Sequence, residues 1–512
     1  MDPLSANRSL VFIGFMAAGK SKAAQAAAEH LGLEALDADR ALEGALSMPI
    51  ADFFDREGED EFRRREAEIV VDMLSRGGGA PVALGGGSVL SAPVAAALRD
   101  HIVVWLDVSA DEAWGRIDGT SRPLARDRAE FDRLHAERAP LYAGLADAIV
   151  PGRREAVRAA LPALSSLRGA PAGTQLLFAS SSSGDYPVFI GRGVLGTVDP
   201  AVAGRGFCIT DEAVGPLYAD RLQTEATLTV APGEATKRLT EAERLLGELA
   251  EAGMRRDDHL LALGGGVVGD LAGFCAAVYQ RGVAVVHLPT SLVAQVDSAY
   301  GGKTGVDIAA AKNYVGAYHQ PAAVVADLDA LSTLPREELA AGFAEVLKTG
   351  LLAGGELWEA VRTLPVLDSA AAAAFVAPCA RYKLAVVAAD ERDAGPRMAL
   401  NLGHTVGHAI EAASGYARFR HGEAVGLGLL AALRISGAGA LRDEVADVLA
   451  RHGLPVSLDG TPATQEILAA LERDKKRTER GVEFVLLERP GAPQVGCLVD
   501  RASVEAAVDE LR

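Results

Sequence analysis

The stretch "SLVFIGFMAAGKSKAAQAAAEHLG", residues 9–32, determines how the beginning of the chain folds. "LVFI" is a short apolar run typical of a buried strand, and the alanine-rich segment that follows has the composition of a helix. Between them, Gly14 to Ser21 fit the pattern GxxxxGK[ST], in which backbone N–H groups surround phosphate oxygens at a helix N-terminus. We therefore predict a phosphate-binding loop in which Lys20 reaches the β- and γ-phosphates and Ser21 holds Mg²⁺.

Strand and helix patterns continue to alternate after this loop. "PVALGGG" and "HIVVWLDV" are further predicted strands beside helical patterns, which is typical of a parallel α/β sheet. "SSLRGAPAGT", after residue 164, has the composition of a linker, and "QLLFAS" and "YPVFIG" then predict a hairpin. Alternation resumes from "GFCITD" to about residue 330, and helical patterns dominate beyond it, apart from a late predicted strand, "VEFVLLE". We predict three domains, at 1–168, 174–333 and 334–512.

The bulk composition is that of an acidic globular chain. Its 512 residues are 49% hydrophobic and 23% charged, with a formal net charge of -18. Such a balance argues against generic binding to nucleic acid or membrane surfaces, so we expect neither as a partner. The four cysteines form no CxxC pair, and the sequence shows neither a signal peptide nor an apolar run long enough to span a bilayer. We therefore expect reduced thiols and a cytoplasmic protein.

Lysine is rare in this chain, and its positions are informative. Only nine of the 51 Lys and Arg residues are lysine. Because arginine serves wherever any cation suffices, a retained lysine more often stands where a compact, flexible ammonium is needed. Codon bias explains the rarity but not the placement. Eight of the nine fall within the candidate sites: Lys20, Lys237, Lys303, Lys312, Lys348, Lys383, Lys475 and Lys476.

Acidic and basic residues follow the phosphate loop. Asp37 and Asp39 in "LDAD" end a short apolar run, and alternate residues on a strand share a face, so both carboxylates are expected to face one pocket. A solvated turn is the simpler explanation of two aspartates alone. "EFRRREAE", "TSRPLARD" and "ERAPLY" add Arg63, Arg122 and Arg138, each of which alone is typical of a protein surface.

Taken together, these motifs resemble shikimate kinase over about residues 9–165. They occur in the order phosphate loop, LDxD, GExxFRxxE, GGG, RPL and RxPLY. The resemblance implies that Lys20 and Asp37 are catalytic, with Asp37 near Mg²⁺, and that Arg122 lies in a lid over the nucleotide. It implies shikimate binding by Asp39, Arg63, Gly86 and Arg138. It implies ATP binding by Gly14, Ala17, Ala18, Gly19, Lys20, Ser21, Lys22 and Arg122.

The second half carries a glycine-rich turn and a histidine cluster. "LALGGGVVGDLAGF" suggests a site for a dinucleotide pyrophosphate, although GGGxxGD is not the usual pattern. His404 and His408, at i and i+4, share a helix face ~6 Å apart, and His421 follows a short connection. Two histidines and a carboxylate form a catalytic zinc set, for which Glu345, on one helix face with Lys348, is the candidate carboxylate. Spacing alone does not decide which two histidines are ligands, and core histidines are the alternative.

Residues 174–512 resemble 3-dehydroquinate synthase along almost their whole length. The motifs are "PGEATK", "GGGVVGD", "PTSLVAQVDS", "GGKTGVD", "KNYVGAYHQP", "AEVLK", "RYK", "LNLGHTVGHAIE", "HGEAVG" and "DKK". The resemblance implies Zn²⁺ or Co²⁺ on Glu345, His404 and His421, and catalytic roles for Lys303, Lys348 and His408, the last near the substrate phosphate. It implies NAD⁺ binding by Glu234, Lys237, Gly266, Gly269, Asp270, Thr290, Ser291, Asp297, Lys303, Lys312 and Thr333. It implies substrate binding by Asn313, Lys348, Lys383, Arg397, Asn401, Lys475 and Lys476.

The two resemblances imply a bifunctional α/β enzyme of aromatic amino acid biosynthesis. We expect a phosphate-loop kinase domain with a parallel sheet, then a Rossmann-like NAD-binding domain and a mainly helical metal-binding domain. The expected reactions are ATP-dependent phosphorylation of shikimate, and NAD- and metal-dependent conversion of a heptulosonate phosphate to 3-dehydroquinate. A homodimer through the synthase part is also expected. The alternatives are a polyol dehydrogenase in the second half, which the pocket lysines disfavour, and a nucleotide-sensing first half, which Asp39 and Arg63 disfavour.

Overall fold

The computed structural model describes residues 8–76, 78–117, 127–309, 311–460, 462–473, 477–478 and 481–512. The chain forms two compact units. The first comprises residues 1–180 and 184–202, and the second comprises residues 181–183 and 203–512. The α/β architecture expected from the sequence is confirmed in both.

The first unit is a sheet flanked by helices. Its strands are β1 Leu10–Ile13, β2 Leu36–Asp37, β3 Val82–Ala83, β4 Ile102–Asp107, β5 Ala148–Pro151, β6 Gln175–Ser181 and β7 Gly184–Gly191. They lie in the order β2-β3-β1-β4-β5-β6-β7, and the pairs from β2 to β6 are parallel. The helices are α1 Lys20–Leu31, α2 Ala38–Leu46, α3 Ile50–Glu57, α4 Glu59–Arg76, α5 Ala92–Ala97, α6 Ala110–Gly115, α7 Arg128–Leu145 and α8 Arg154–Arg168.

The predicted strand–turn–helix at the start of the chain is confirmed. All four residues of β1 are buried, as expected of a central strand in a parallel sheet. The α1 helix buries only alanines, at positions 23, 24, 27 and 28. Small side chains at this spacing let a helix lie close to the sheet. The loop between β1 and α1 is therefore held between two well-packed elements.

The prediction that Asp37 and Asp39 share a strand face is wrong. The β2 strand ends at Asp37, whose Oδ1 accepts hydrogen bonds from the backbone N–H groups of Asp39 and Arg40 and so caps α2. An aspartate in this position satisfies N–H groups that have no partner inside the helix. Asp39 therefore lies in the first turn of a helix, and the two carboxylates have different local settings.

The predicted hairpin is formed by β6 and β7, which are neighbours in the sheet joined by a two-residue turn. The β6 strand also pairs in parallel with β5, with Leu176 opposite Ala148, so the sheet of the first unit extends beyond the kinase-like motifs. The boundary at 168–174 stays a prediction.

The strands at the beginning of the second unit are β8 Gly206–Asp211, β9 Ala226–Val230, β10 His259–Gly264, β11 Ala284–Pro289, β12 Lys303–Ile308, β13 Ala311–Tyr318 and β14 Ala323–Asp327. Five of them form a parallel sheet in the order β14-β11-β10-β8-β9, and β12 and β13 form a separate antiparallel pair. The helices are α9 Gly215–Tyr218, α10 Leu239–Glu251 and α11 Gly266–Val278. Every residue of β10 is buried, and α11 follows it directly at the glycine-rich turn, as predicted.

The rest of the second unit is mainly helical, as expected. Its helices are α12 Arg336–Ala353, α13 Gly355–Arg362, α14 Ser369–Ala389, α15 His404–Ala413, α16 His421–Ile435, α17 Gly439–Arg451, α18 Thr464–Arg473 and α19 Arg501–Asp509. The late predicted strand is part of an antiparallel sheet of β15 Arg477–Thr478, β16 Gly481–Leu487 and β17 Pro493–Leu498, of which only the middle strand was predicted. Among the described residues, α14 alone is long and apolar enough to cross a bilayer, but half of its apolar window is buried, as in a core helix.

Candidate functional site

The phosphate loop has the backbone shape that the sequence predicts. Gly14 and Gly19 have φ angles of +142° and +93°, which glycine adopts without strain. The Lys20 ammonium donates to the carbonyl oxygens of Gly14 and Phe15, both at 3.0 Å. The lysine side chain therefore folds back over the loop, toward the space that a phosphate occupies in loops of this pattern.

The rest of the loop is built from alanines and an exposed helix start. Ala17 has a φ of +60°, a conformation uncommon outside glycine, whereas Ala18 is buried. Ser21 and Lys22 are exposed in the first turn of α1, where free N–H groups favour an anion. The guanidinium of Arg116 lies 3.5 Å from the carbonyl oxygen of Ala17. Sequence reasoning missed this arginine, because it belongs to no motif and reaches the loop only in the folded chain.

A glycine turn lies between the phosphate loop and the predicted arginines. A Cβ atom built on Gly87 would lie 2.6 Å from Nη1 of Arg63. One built on Gly86 would lie 3.6 Å from the carbonyl oxygen of Gly14 and 3.9 Å from Nη1 of Arg138. Both predicted arginines therefore reach the same turn, directly beside the loop. Such a cationic pocket suits a substrate carboxylate.

Asp39 and a buried glutamate complete this pocket. A Cβ atom built on Gly85 would lie 3.2 Å from Oδ1 of Asp39 and 2.7 Å from Oε1 of Glu66. Glu66 is 2.7 Å from Nη1 of Arg63 and accepts a hydrogen bond from Ser88 at 2.6 Å. Glu66 thus fixes the Arg63 guanidinium from behind. The sequence contained it as the last residue of GExxFRxxE, but its role appears only from the contacts.

The second unit contains a cavity of about 1540 Å³ at the carboxyl ends of its parallel strands, where α/β proteins bind ligands. Gly269 does not line it, because this glycine faces His287. The lining includes the predicted residues Glu234, Lys237, Gly266, Asp270, Thr290, Ser291, Asp297, Lys303, Lys312, Asn313, Thr333, Glu345, Lys348, Lys383, Arg397, Asn401, His404, His408 and His421.

Three histidines and a buried glutamate meet at one point of this cavity. Oε1 of Glu345, on α12, lies 3.5 Å from Nε2 of His404 and 3.3 Å from Nε2 of His421. The His404 and His408 rings, one helical turn apart on α15, have centroids 5.3 Å apart, as the i, i+4 spacing predicted. Within the described residues, two sets bring their ligand atoms within 4.8 Å of one another: Glu345, His404 and His421, and also His408, Glu411 and His421. Geometry therefore admits two overlapping sets that share His421.

The electrostatic field at His421 favours a cation. Burial alone would lower the pKa of this histidine, but contacts with Glu345 and Glu411 raise its pKa to about 10. The two carboxylates approach opposite ring nitrogens, since Oε2 of Glu411 lies 3.4 Å from Nδ1. The same field that holds a proton on this ring attracts a divalent metal ion to the same place.

Two buried lysines share one aspartate next to this point. Lys348 lies 2.5 Å from Oε2 of Glu345 and 3.0 Å from Oδ2 of Asp297, whereas the Lys383 ammonium contacts both Oδ1 and the backbone carbonyl of Asp297. Burial opposes ionisation, yet the two ammonium groups hold the pKa of Asp297 well below its usual range. Burial lowers the pKa of Lys383 despite this partner, with the Lys348 charge acting in the same direction.

The other side of the cavity carries acidic and basic residues around the glycine-rich turn. Lys237 is buried and lies 2.8 Å from Oε1 of Glu234 and 3.2 Å from Oδ2 of Asp270, the latter in the second turn of α11. Burial raises the pKa of Asp270, and the Lys237 charge opposes this. Lys312 lies 3.6 Å from Oε1 of Glu234 and 3.5 Å from Oε1 of Glu411.

The helices that carry the histidines touch one another through glycines. A Cβ atom on Gly422 of α16 would lie 1.8 Å from the carbonyl oxygen of Ala341 on α12. One on Gly428 would lie 1.9 Å from the carbonyl oxygen of Gly403, immediately before α15. No side chain fits at either position, so the backbone of α16 directly contacts α12 and the residue that precedes α15.

Sequence reasoning missed four acidic residues that line this cavity, Asp211, Glu338, Asp393 and Glu411. Glu411 is buried beside His421, and Asp393 lies 2.5 Å from the Lys303 ammonium. Glu411 stands at the end of the quoted motif "LNLGHTVGHAIE", three residues after His408, which was the available signal. Asp393 had none. Three predicted residues, Arg122, Lys475 and Lys476, lie outside the described residues.

Family models match different parts of the chain. Residues 16–166 match the family model for shikimate kinase, and residues 227–341 and 342–477 match those for the N-terminal and C-terminal parts of 3-dehydroquinate synthase. The 3-dehydroquinate synthase of Symbiobacterium thermophilum is 41% identical over 351 residues, which are 64% of this chain and 98% of that protein.

Two solved structures share the fold of the larger part of the chain. One is 2-deoxy-scyllo-inosose synthase complexed with carbaglucose-6-phosphate, NAD⁺ and Co²⁺, with a TM-score of 0.61, 24% identity and coverage of 66% of this chain and 100% of that one. The other is 2-epi-5-epi-valiolone synthase from Streptomyces hygroscopicus with NAD⁺ and Zn²⁺ bound, with a TM-score of 0.57, 24% identity and coverage of 65% of this chain and 98% of that one.

A phosphate loop beside an arginine pocket and a separate histidine-lined cavity define a bifunctional enzyme that acts on small molecules. The matches extend over most of both units. The chain belongs to the 3-dehydroquinate synthase family, and a shikimate kinase domain precedes the synthase part. This fusion supports two activities of the shikimate pathway, those of shikimate kinase and of 3-dehydroquinate synthase.

Proposed function

We propose that the first unit binds ATP on the phosphate loop and shikimate at the glycine turn. Lys20 neutralises charge on the transferring phosphoryl group, and Ser21, together with Asp37, holds Mg²⁺. Arg63 and Arg138 bind the substrate carboxylate, and Asp39 accepts a hydrogen bond from a substrate hydroxyl. The proposal is supported by the proximity of these groups, because one glycine turn, residues 85–87, touches the loop, both arginines and the aspartate.

We propose that the second unit binds NAD⁺ at the turn around Gly266, with Asp270 toward the ribose, and a Zn²⁺ or Co²⁺ ion at Glu345, His404 and His421. The donor set fits such an ion. Oε1 of Glu345 is buried, accepts no hydrogen bond from the described residues and lies within 3.5 Å of Nε2 of both histidines. When bound, NAD⁺ supplies a hydride acceptor and the metal ion supplies polarisation of the alcohol to be oxidised.

The chain's own cations are arranged for an anionic substrate. Arg397 is fully buried, and its guanidinium donates to the carbonyl oxygens of Gly301 at 2.9 Å and of Glu391, which fix its orientation. Lys348 and Lys383 are buried in the cavity wall. A heptulosonate phosphate carries both a phosphate and a carboxylate, so these groups, with Lys303, Asn313, Asn401 and His408, have two anionic ends to hold. The buried cations favour this substrate over a neutral polyol.

The observation that favours a synthase over a polyol dehydrogenase is therefore the set of cations in the cavity, Lys303, Lys348, Lys383 and Arg397. We also propose that Gly269 acts through the position of α11, that the chain is a homodimer through its synthase part, and that it works in the cytoplasm without nucleic acid or membrane partners. Sedimentation of the purified chain tests the dimer, since a monomer at micromolar concentration would contradict it.

The two assignments are tested together by assaying both activities on one preparation of the His404→Ala variant. Loss of a metal ligand costs more than loss of a residue behind a ligand, which is about 10- to 100-fold. We expect synthase turnover to fall by more than about 100-fold while shikimate kinase turnover stays at the wild-type value. Synthase turnover close to that of wild type would contradict the metal assignment, and a parallel fall of the kinase would contradict separate sites.

A further inference from the structure

Glu411 is a buried carboxylate that neither the sequence motifs nor the substrate-binding set assigns a role. Its side chain is 5% exposed and lies on α15, one turn after His408. Its Oε2 atom is 3.4 Å from Nδ1 of His421, the first residue of α16. The other ring nitrogen of His421, Nε2, is turned toward Oε1 of Glu345 at 3.3 Å.

The two nitrogens of an imidazole have different tasks when the ring binds a metal ion. One nitrogen offers its lone pair to the ion, and the other carries a proton, which fixes the tautomer if a carboxylate or carbonyl accepts it. For His404, Nδ1 lies 3.1 Å from the carbonyl oxygen of Leu402, and Nε2 faces Glu345. His421 has the same arrangement, except that the group behind it is the Glu411 carboxylate. Both histidines therefore direct Nε2 to one point.

We infer that Glu411 is a positioning residue for the metal site, one that accepts the Nδ1 proton of His421 and holds its Nε2 lone pair toward the ion. The inference rests on the proposed metal site at Glu345, His404 and His421. It extends that site by a residue outside the ligand set and gives the ring of His421 a defined tautomer.

The second oxygen of Glu411 connects this histidine to the cofactor side of the cavity. Oε1 lies 3.5 Å from the Lys312 ammonium, which is 3.6 Å from Glu234. Glu234 in turn contacts Lys237 at 2.8 Å. Glu411 therefore connects the charged residues beside the glycine-rich turn, through Lys312, with the histidine cluster, through His421.

The test is the affinity of the full-length chain for Zn²⁺, measured by competition with a chromogenic chelator of known affinity. Glu411→Gln keeps an acceptor oxygen but loses the charge, and Glu411→Ala loses both. We expect the dissociation constant for Zn²⁺ to rise about 10-fold for the first variant and about 100-fold for the second. Glu423→Gln is the matched control, because Glu423 lies two residues after His421 but bonds to Arg420 at the helix start. Its Zn²⁺ affinity should equal that of wild type.

The outcomes separate the inference from the proposed site. Wild-type chain that binds no Zn²⁺, or binding that survives His404→Ala, would overturn the proposed site itself. Binding that is lost in His404→Ala but stays within threefold of wild type in both Glu411 variants would overturn only the role of Glu411. A merely structural role would lower the unfolding midpoint of the Glu411 variants without a selective change in Zn²⁺ affinity, and that result would also overturn the inference.

Discussion

Replacing Asp297 by asparagine removes the carboxylate that two buried ammonium groups share. Lys348 loses a contact of 3.0 Å but keeps Glu345 at 2.5 Å. Asparagine keeps one acceptor oxygen, so Lys383 loses the negative charge of its side-chain partner but keeps the backbone carbonyl of residue 297 at 2.6 Å. Removing one partner of a buried ion pair costs about 3–5 kcal/mol. Both lysines keep a contact, and the Asp297 side chain is 20% exposed to solvent. We therefore expect a loss of stability at the lower end of this range, about 3 kcal/mol.

The loss should shrink at alkaline pH. Burial already holds the pKa of Lys383 below its usual value, and removing Asp297 lowers this pKa further. A lysine whose pKa is lower in the folded state binds fewer protons there than when unfolded, so stability rises with pH between the folded and unfolded pKa values. At a pH below the folded pKa of Lys383, the variant loses the full stability that the charge on this lysine costs. That loss disappears as pH rises to the pKa of an unfolded lysine, about 10.4. The Asn variant should therefore approach wild type near that pH.

Unfolding of the second unit can be followed separately by tryptophan fluorescence. Of the three tryptophans, only the buried Trp358 lies in this unit, so a background with Trp105→Phe and Trp114→Phe reports on it alone. Urea titrations at neutral and alkaline pH give the free energy of unfolding. The matched control is Asp443→Asn, whose carboxylate is 80% exposed and should change stability by less than about 0.5 kcal/mol.

A second substitution decides whether unpaired charge is the cause. Lys383→Met in the Asp297→Asn background removes an ammonium that has lost its counter-charge, so the double variant should be more stable than Asp297→Asn alone. A loss below about 1 kcal/mol in Asp297→Asn, or additive losses in the double variant, would refute the reasoning.

Three further outcomes are expected, two from the sites and one from the sheet of the first unit. Treatment with EDTA and restoration of excess Mg²⁺ should abolish synthase turnover and spare the kinase; a treated sample with full synthase turnover contradicts the metal proposal. Lys20→Ala should cut kinase turnover by about 100-fold or more, without rescue by Lys20→Arg and without effect on the synthase, whereas a kinase within threefold of wild type contradicts the loop assignment. A fragment of residues 1–168 should unfold at lower urea than one of residues 1–202, because β5 loses its partner strand β6; equal midpoints would show that the added hairpin contributes nothing.

Local patterns were sufficient where one element carries the feature. The loop between β1 and α1, the pair Glu345 and Lys348, and the pair His404 and His408 each follow from spacing along a single strand or helix, and all are found as predicted. Asp39 was misplaced because its neighbour Asp37 caps a helix, and the side-chain hydrogen bonds of that cap ended the strand. A short apolar run followed by aspartate fits both outcomes, so the pattern alone could not choose.

Several contacts between side chains on different helices, strands or loops were not predicted from the sequence. Glu66 acts on Arg63 only because Ser88 holds it from the glycine turn. Glu411 meets His421 because α15 and α16 pack side by side, and Arg116 meets the loop across 99 residues of chain. The β17 strand was missed because "PQVGCL" begins with proline and has little alternation. Such contacts are set by packing between elements, which no periodicity within one element reports.

The backbone contacts at Gly422 and Gly428 affect how genetic data on this enzyme should be interpreted. In a screen that scores every amino-acid replacement by growth without aromatic amino acids, both positions would reject all nineteen alternatives, as a ligand does. A catalogue of such intolerant positions would therefore overcount the residues that touch the ion. Measuring Zn²⁺ content of the surviving soluble protein separates the two groups, since a glycine variant that still folds keeps its ligands.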